Sequence, residues 1–258
     1  MARAAPDPHL QRAAAAVRLA LGARGRLTVL TGAGVSAESG LATFRDAGGL
    51  WEQYNLEDVA TPEAFARNPR LVQKFYNARR RKLGTVAPNP AHAALARLED
   101  MLGDRFTLIT QNIDDLHERG GSRRVLHMHG ELLKARCVRC EHVLAWPGDI
   151  RAQDACPRCS EGLRPHVVWF GEMPYYLEVE IPRALEAEVF VSIGTSGTVY
   201  PAAGMVQEVT SRGGLTVELN LEPSDNFDLF GHCVLGPAGT VVPRFVALLG
   251  GSPGSPPV

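Results

Sequence analysis

Apolar positions along this chain fall into short continuous runs separated by longer stretches of helical repeat. Leu27, Val29 and Leu30 open the first run; residues 106–110 (FTLIT), 124–127, 189–193 (VFVSI) and 215–219 give four more. Runs of this length, β-branched and bounded by turn formers, predict strands buried on both faces. Between them, residues 9–21 predict an exposed amphipathic helix. Residues 60–83 predict two helices broken at Asn68-Pro69, with Pro62 and Pro69 where a helix start tolerates them. Further helices are predicted over 91–102, over 201–212 and from Pro243 to residue 248, and an extended run over 164–170. The Gly/Ser/Pro-rich residues 250–258 predict a disordered tail. Strand–helix alternation of this kind predicts an α/β fold, a doubly wound Rossmann-like parallel sheet.

Two stretches interrupt the alternation. Residues 46–88 read as a helical insertion and residues 131–170 as a cysteine-bearing module, together a small domain. The Rossmann-like domain is then assembled from residues 1–45, 89–130 and 171–249.

Chemistry concentrates where strands end. The first strand breaks at Gly32-Ala33-Gly34, and a helix is expected to begin near Ser36 with Glu38 in its first turn. Strand, glycine turn and helix start present backbone N–H groups to a pyrophosphate, with Gly32 making the turn and Gly34 letting a phosphate approach. Alone, this pattern also fits an ordinary strand–helix turn. A second strand ending in an acid about 20 residues on, expected of a dehydrogenase, is missing; residues 43–51 read as a loop instead. Two further strands end in polar turns, Gln111-Asn112-Ile113-Asp114 and Gly194-Thr195-Ser196. Converging, the three would line one crevice.

Cys137-x2-Cys140 and Cys156-x2-Cys159 stand 15 residues apart. Four thiolates on two such knuckles satisfy one tetrahedral zinc ion and leave no position open for water, so the zinc is expected to be structural. A net charge of −1 argues against broad binding to nucleic acid or an anionic membrane, and no apolar run is long enough to span a bilayer. A zinc-ribbon binding module using Lys134, Arg136 and Arg139 is the alternative of a different class, disfavoured for want of a basic stripe with aromatics.

Taken in order, GAGVSAESG (32–40), TFR (43–45), QNID (111–114), His129-Gly130, the four cysteines, HVVWFGE (166–172), GTS (194–196) and NLE (220–222) resemble the sirtuins, NAD⁺-dependent protein-lysine deacylases, and within them the bacterial desuccinylase/deacetylase branch. The resemblance implies NAD⁺ as co-substrate, bound by Gly32, Ala33, Gly34, Ser36, Glu38, Phe44, Arg45, Gln111, Asn112, Ile113, Asp114, Gly194, Thr195, Ser196, Asn220, Leu221, Glu222 and Ala238. It implies His129 as general base toward a ribose hydroxyl, with Asn112 and Asp114 favouring a cation-like transition state. His127, two residues earlier, competes for the role of base. Val167, Val168, Trp169 and Phe170 would pair with a substrate peptide as an added strand. Tyr76 and Arg79, one helical turn apart, would bind the carboxylate of succinyl- or malonyl-lysine, with Ala60 leaving room for the longer chain. The expected partners are acylated lysines of proteins, met by a cytoplasmic monomer. A plain deacetylase, an NAD-dependent dehydrogenase and an ADP-ribosyltransferase side activity are the other readings.

Overall fold

All five residues of the first strand, β1 (Leu27–Thr31), are buried, because it lies in the middle of a sheet covered on both faces. The computed structural model describes residues 7–41 and 55–250. The other strands are β2 (Phe106–Thr110), β3 (Val125–His127), β4 (Gly130–Cys137), β5 (Val143–Ala145), β6 (Leu163–Val167), β7 (Val189–Ile193), β8 (Leu215–Asn220) and β9 (His232–Leu235). Six form one parallel sheet in the order β3-β2-β1-β7-β8-β9, and β5-β4-β6 form a separate antiparallel sheet. The parallel order reverses between β1 and β7, where such sheets open a ligand crevice.

The helices are α1 (Pro8–Leu21), α2 (Gly34–Ala37), α3 (Leu56–Val59), α4 (Pro62–Arg67), α5 (Pro69–Leu83), α6 (Pro90–Leu102), α7 (Leu116–Arg119), α8 (Glu180–Ala184), α9 (Met205–Ser211) and α10 (Ala238–Gly250). Successive strand residues face opposite sides. Val29, Leu108 and Val191 pack under α1, α6 and α10; Leu30, Ile109 and Phe190 pack under α8 and α9. Side-chain caps start several helices: Asp7 accepts from His9 and Leu10 N–H, Thr61 from Ala64 N–H, and Asn68 from Leu71 N–H, each just before a proline at the first helical position.

Several boundaries differ from the sequence reading. The first helix is amphipathic but not exposed: Leu10, Ala13, Ala14 and Val17 are buried against the sheet. Ser36 does not cap α2 but lies buried within it. The helix after β7 begins at Met205, not Pro201. The last begins at Ala238, with Pro243 inside it, because its apolar face (Val241, Val242, Phe245, Val246) outweighs one lost backbone hydrogen bond. The extended run ends as a strand at Val167. Residues 251–258 lie outside the described residues.

The small sheet joins α5 through an apolar cluster, Val72, Phe75, Leu83, Leu132, Val167 and Trp169. Buried polar ties add to it. Arg80 Nε donates to the Leu132 carbonyl at 2.8 Å, Gln73 Nε2 to that of Leu163 at 2.7 Å, and Asn77 exchanges two hydrogen bonds with the Ile150 backbone.

Candidate functional site

At the reversal point the loops after β1 and β7 touch backbone to backbone. Gly32 N–H donates to the Ile193 carbonyl at 3.0 Å and Gly34 N–H to that of Gly194 at 2.9 Å. A Cβ on Gly34 would lie 2.7 Å from Gly194 Cα, and Gly194 itself has φ +62°. Gly34 is therefore required by its neighbouring loop, a reason that stands beside the approach of a phosphate expected from the sequence. Gln111 N–H bonds to the Thr31 carbonyl, so all three polar strand ends meet.

The N–H groups of Ala33 and Thr195 find no acceptor among the described residues, and each lies two residues past the carboxyl end of one of two adjacent strands. Such paired donors fit the pyrophosphate of a dinucleotide. Asn220 Nδ2 holds the Thr195 carbonyl at 2.8 Å. Glu38 accepts from Gly239 N–H in the first turn of α10, beside Ala238, so its carboxylate ties two helices together. Ser196 is half-buried in the same turn; Leu221 and Glu222 are exposed beyond β8. Phe44 and Arg45 lie outside the described residues.

Behind the first loop, Ser36, Asn112, Asp114 and His92 form one buried network. Asn89 N–H donates to His92 Nδ1 at 3.1 Å, so the neutral ring carries its proton on Nε2, facing Ser36 Oγ at 3.4 Å. Burial lowers the His92 pKa to about 4, against the opposing Asn89 bond. Ser36 Oγ donates a hydrogen bond to Asp114 Oδ2 at 3.2 Å and accepts one from Asn112 Nδ2 at 3.2 Å. Burial raises the Asp114 pKa, opposed by the Leu116 N–H and Ser36 hydrogen bonds. Ile113 is half-buried, its carbonyl accepting from Leu132 N–H at 2.7 Å.

The two candidate histidines have opposite surroundings. His127 ends β3 with Nε2 2.7 Å from Glu118 Oε1 and Nδ1 3.2 Å from the Asn112 carbonyl. Both partners are acceptors, so they favour the doubly protonated ring. Burial alone would lower its pKa, but the bond to Glu118 and that carboxylate's charge outweigh it and raise it. His129 lies in the turn after the strand, half-buried, with Nδ1 3.0 Å from the Gln111 carbonyl. That carbonyl only accepts, so the neutral ring is protonated at Nδ1 and keeps its Nε2 lone pair. Burial lowers the His129 pKa, partly offset by the Gln111 bond.

On the far side of the crevice, Tyr76 and Arg79 share a face of α5, with Arg79 Cζ 6.0 Å from the Tyr76 ring centre. Ala60 is buried, and its carbonyl accepts from Phe170 N–H at 3.0 Å. The segment after β6 is not an open strand edge. Val168 N–H donates to the His129 carbonyl and Trp169 N–H to Glu172 Oε2, so with Phe170 its donors are used internally. Val167 and Trp169 point inward while Val168 is half-buried and Phe170 exposed.

The four sulfurs of Cys137, Cys140, Cys156 and Cys159 lie within 4.8 Å of one another, with close pairs at 3.4–3.6 Å. A tetrahedral zinc with bonds of about 2.3 Å would space them about 3.8 Å apart, so the donor set fits one ion. Backbone N–H groups of Arg139, Cys140 and Arg158 point at the sulfurs, as on two thiolate knuckles.

A sequence model described as Sir2 family matches residues 32–201. This chain belongs to the Sir2 family. Among its relatives, the "NAD-dependent protein deacylase" of Salmonella typhimurium is 60% identical over 226 residues, covering 86% of this chain and 82% of that protein. The Pasteurella multocida protein of the same name is 56% identical over 227 residues, 86% of this chain and 97% of its own. Among solved structures, a Sir2 homologue mutant in complex with ADP-ribose superposes with a TM-score of 0.85 at 40% identity, over 95% of this chain and 96% of that one. A Sir2 homologue–NAD complex gives 0.80 at 38% identity, over 94% and 93%.

In this sirtuin, three groups around the crevice escaped the sequence reading. His92 is marked only by its place in a first helical turn, and nothing local says that its ring faces Ser36. Glu172 ends the HVVWFGE motif and Arg164 lies just before it, yet their bidentate pairing at 2.6 and 2.8 Å comes from a loop reversal. The Trp169 indole N–H reaches Tyr76 Oη at 3.0 Å across 93 positions of sequence.

Proposed function

We infer that this sirtuin is an NAD⁺-dependent protein-lysine deacylase that removes acetyl groups and acyl groups ending in a carboxylate, such as succinyl and malonyl. When bound, NAD⁺ supplies an ADP-ribosyl acceptor and nicotinamide as leaving group, so the products are free lysine, nicotinamide and an O-acyl-ADP-ribose. The Ala33 and Thr195 N–H groups, with the loops of Gly32, Gly34, Gly194 and Ser196, hold the pyrophosphate. Glu38, Asn220, Leu221, Glu222 and Ala238 lie toward the adenosine end. Asn112 and Asp114, oriented by Ser36, hold the ribose side, and the Asp114 carboxylate with the Asn112 amide dipole favours a cation-like transition state. His129 Nε2 takes the proton of a ribose hydroxyl. Tyr76 and Arg79 take the acyl terminus, with Ala60 leaving room. Val168 and Phe170 offer the surface nearest a bound peptide. The zinc ion is structural. The net charge of −1 supports protein substrates rather than nucleic acid or a membrane, and the enzyme is read as a cytoplasmic monomer.

The observation that carries this reading is the contrast between the histidines. His129, hydrogen-bonded through Nδ1 to the Gln111 carbonyl, keeps an Nε2 lone pair, whereas both nitrogens of His127 are committed. Mass spectrometry of acetyl- and succinyl-lysine peptides, with and without NAD⁺, tests it. Deacylation should require NAD⁺, and His129→Tyr should lower kcat by about 10²–10⁴-fold. Deacylation without NAD⁺, or an active His129→Tyr, would overturn the assignment. In the wild type, kcat/KM should fall on acidification through a pKa below the ordinary histidine value.

A further inference from the structure

Tyr76 is buried, and among the described residues its hydroxyl makes one hydrogen bond, with the Trp169 indole at 3.0 Å. An indole N–H only donates, so the phenol oxygen is the acceptor and its own proton must go elsewhere. We propose that Trp169 is a specificity-positioning residue. Its N–H occupies the acceptor side of Tyr76 Oη and so commits the Tyr76 proton to an acceptor at the end of the acyl chain. This rests on the reading of Tyr76 and Arg79 as the acyl-end pocket.

Trp169 is fixed from every side. The Arg164 guanidinium lies 3.4 Å from its ring centre, and the Phe65 ring lies 5.3 Å away on another side. Its backbone N–H donates to Glu172 Oε2 at 2.9 Å. Glu172 is in turn held by Arg164 at 2.6 and 2.8 Å and by Arg136 at 3.3 Å. A ring so constrained has one orientation for its N–H, and the Tyr76 hydroxyl can satisfy it only by accepting.

The consequence is a pocket end that presents donors alone. Arg79, one turn further along α5, has no acceptor to offer, and Tyr76 has already used its own. Burial, the largest influence, pushes the Tyr76 pKa up despite the nearby Arg79 charge, so the phenol keeps its proton. Acyl chains ending in a carboxylate satisfy both groups. Chains ending in a methyl offer the Tyr76 proton no acceptor, and chains ending in an amine meet donors with a donor.

The test compares kcat/KM for succinyl- and acetyl-lysine peptides, with NAD⁺ and zinc-loaded enzyme, in wild type, Tyr76→Phe, Trp169→Phe and the double variant. Tyr76→Phe should lower the succinyl-to-acetyl ratio ~10–100-fold, the worth of a hydrogen bond to a charged group. Trp169→Phe should lower it ~3–10-fold through the succinyl KM, and the double variant should match Tyr76→Phe alone. Additive effects, or equal losses on both substrates with Trp169→Phe, would overturn the positioning role and leave the pocket standing. If Tyr76→Phe leaves the ratio unchanged, the pocket reading itself fails and takes this inference with it. A second measurement does not depend on the Trp169 variant folding. In ¹⁵N-tryptophan-labelled protein, the Trp169 indole resonance should move upfield and exchange faster with solvent in Tyr76→Phe; an unmoved resonance overturns the proposal.

Discussion

The two sheets of this sirtuin are held together by different physics. In the parallel sheet, every residue of β1 and β7 is buried, and apolar clusters cover both faces. In the antiparallel sheet, β5 has two of its three residues exposed, and only a small apolar cluster surrounds the cysteines. Order there comes from four thiolates and from polar ties to the rest of the chain through Arg80, Asn77, Gln73, Arg164 and Glu172. The dinucleotide crevice thus rests on hydrophobic burial, which metal and pH barely touch. The wall that carries Trp169 adds to its apolar cluster against α5 a metal site and charges, which respond to both.

The largest effect expected from this contrast is that of metal removal. Structural zinc supplies on the order of 10 kcal/mol to small modules. Stripping it with a chelator, or replacing Cys156 by Ser, should abolish amide-exchange protection in β4–β6 while β1, β2 and β7 keep theirs. A single transition that unfolds both sheets together would break the comparison. Next comes Leu108→Ala, fully buried in β2; it should cost about 2–5 kcal/mol in chemical denaturation without changing zinc content. Glu172→Gln should cost about 1.5–3 kcal/mol, because it weakens the acceptor of two arginines and the Trp169 N–H. Burial opposes ionisation of Glu172, but the Arg164 hydrogen bonds and charge prevail and hold its pKa low. Its contribution is therefore present above the unfolded carboxylate value of about 4.3 and lost as pH falls through the lower folded value; a melting series between pH 6 and pH 3 should show that loss vanish in the variant.

The smallest effect belongs to His127, which brings a pH-sensitive charge into the otherwise insensitive sheet. Its pKa is raised by Glu118 against the cost of burial. Its contribution is full below the unfolded histidine value of about 6.5 and is lost as pH rises through the higher folded value. Glu118→Gln should remove that slope from Tm measured between pH 6 and 8.

Much of the fold is legible residue by residue. FTLIT and VFVSI announce buried strands because a strand covered on both faces has no reason to alternate. The cysteine spacing announces a metal knuckle because ligand geometry is local. The strands β4 and β9 escape notice because GELLKARC and HCVL mix polar and apolar residues, whose sides are chosen by distant partners. The N-terminal helix is legible as amphipathic, but not that its apolar face is buried under the sheet.

For the site the division is similar. The sequence determined which residue types stand at the three strand ends, that four thiolates share a metal, and that a tyrosine and an arginine occupy one helical face. These follow from chain-local periodicity, spacing and covalent reach. Only the tertiary structure decided that Gly34 is small for the sake of Gly194, and that acceptors on both nitrogens favour the charged form of His127 while His129 keeps a lone pair. It alone set the Tyr76 hydroxyl to accept from Trp169. Proton positions and pKa values are fixed by which acceptors lie within about 3 Å, and those acceptors come from parts of the chain that folding alone brings together.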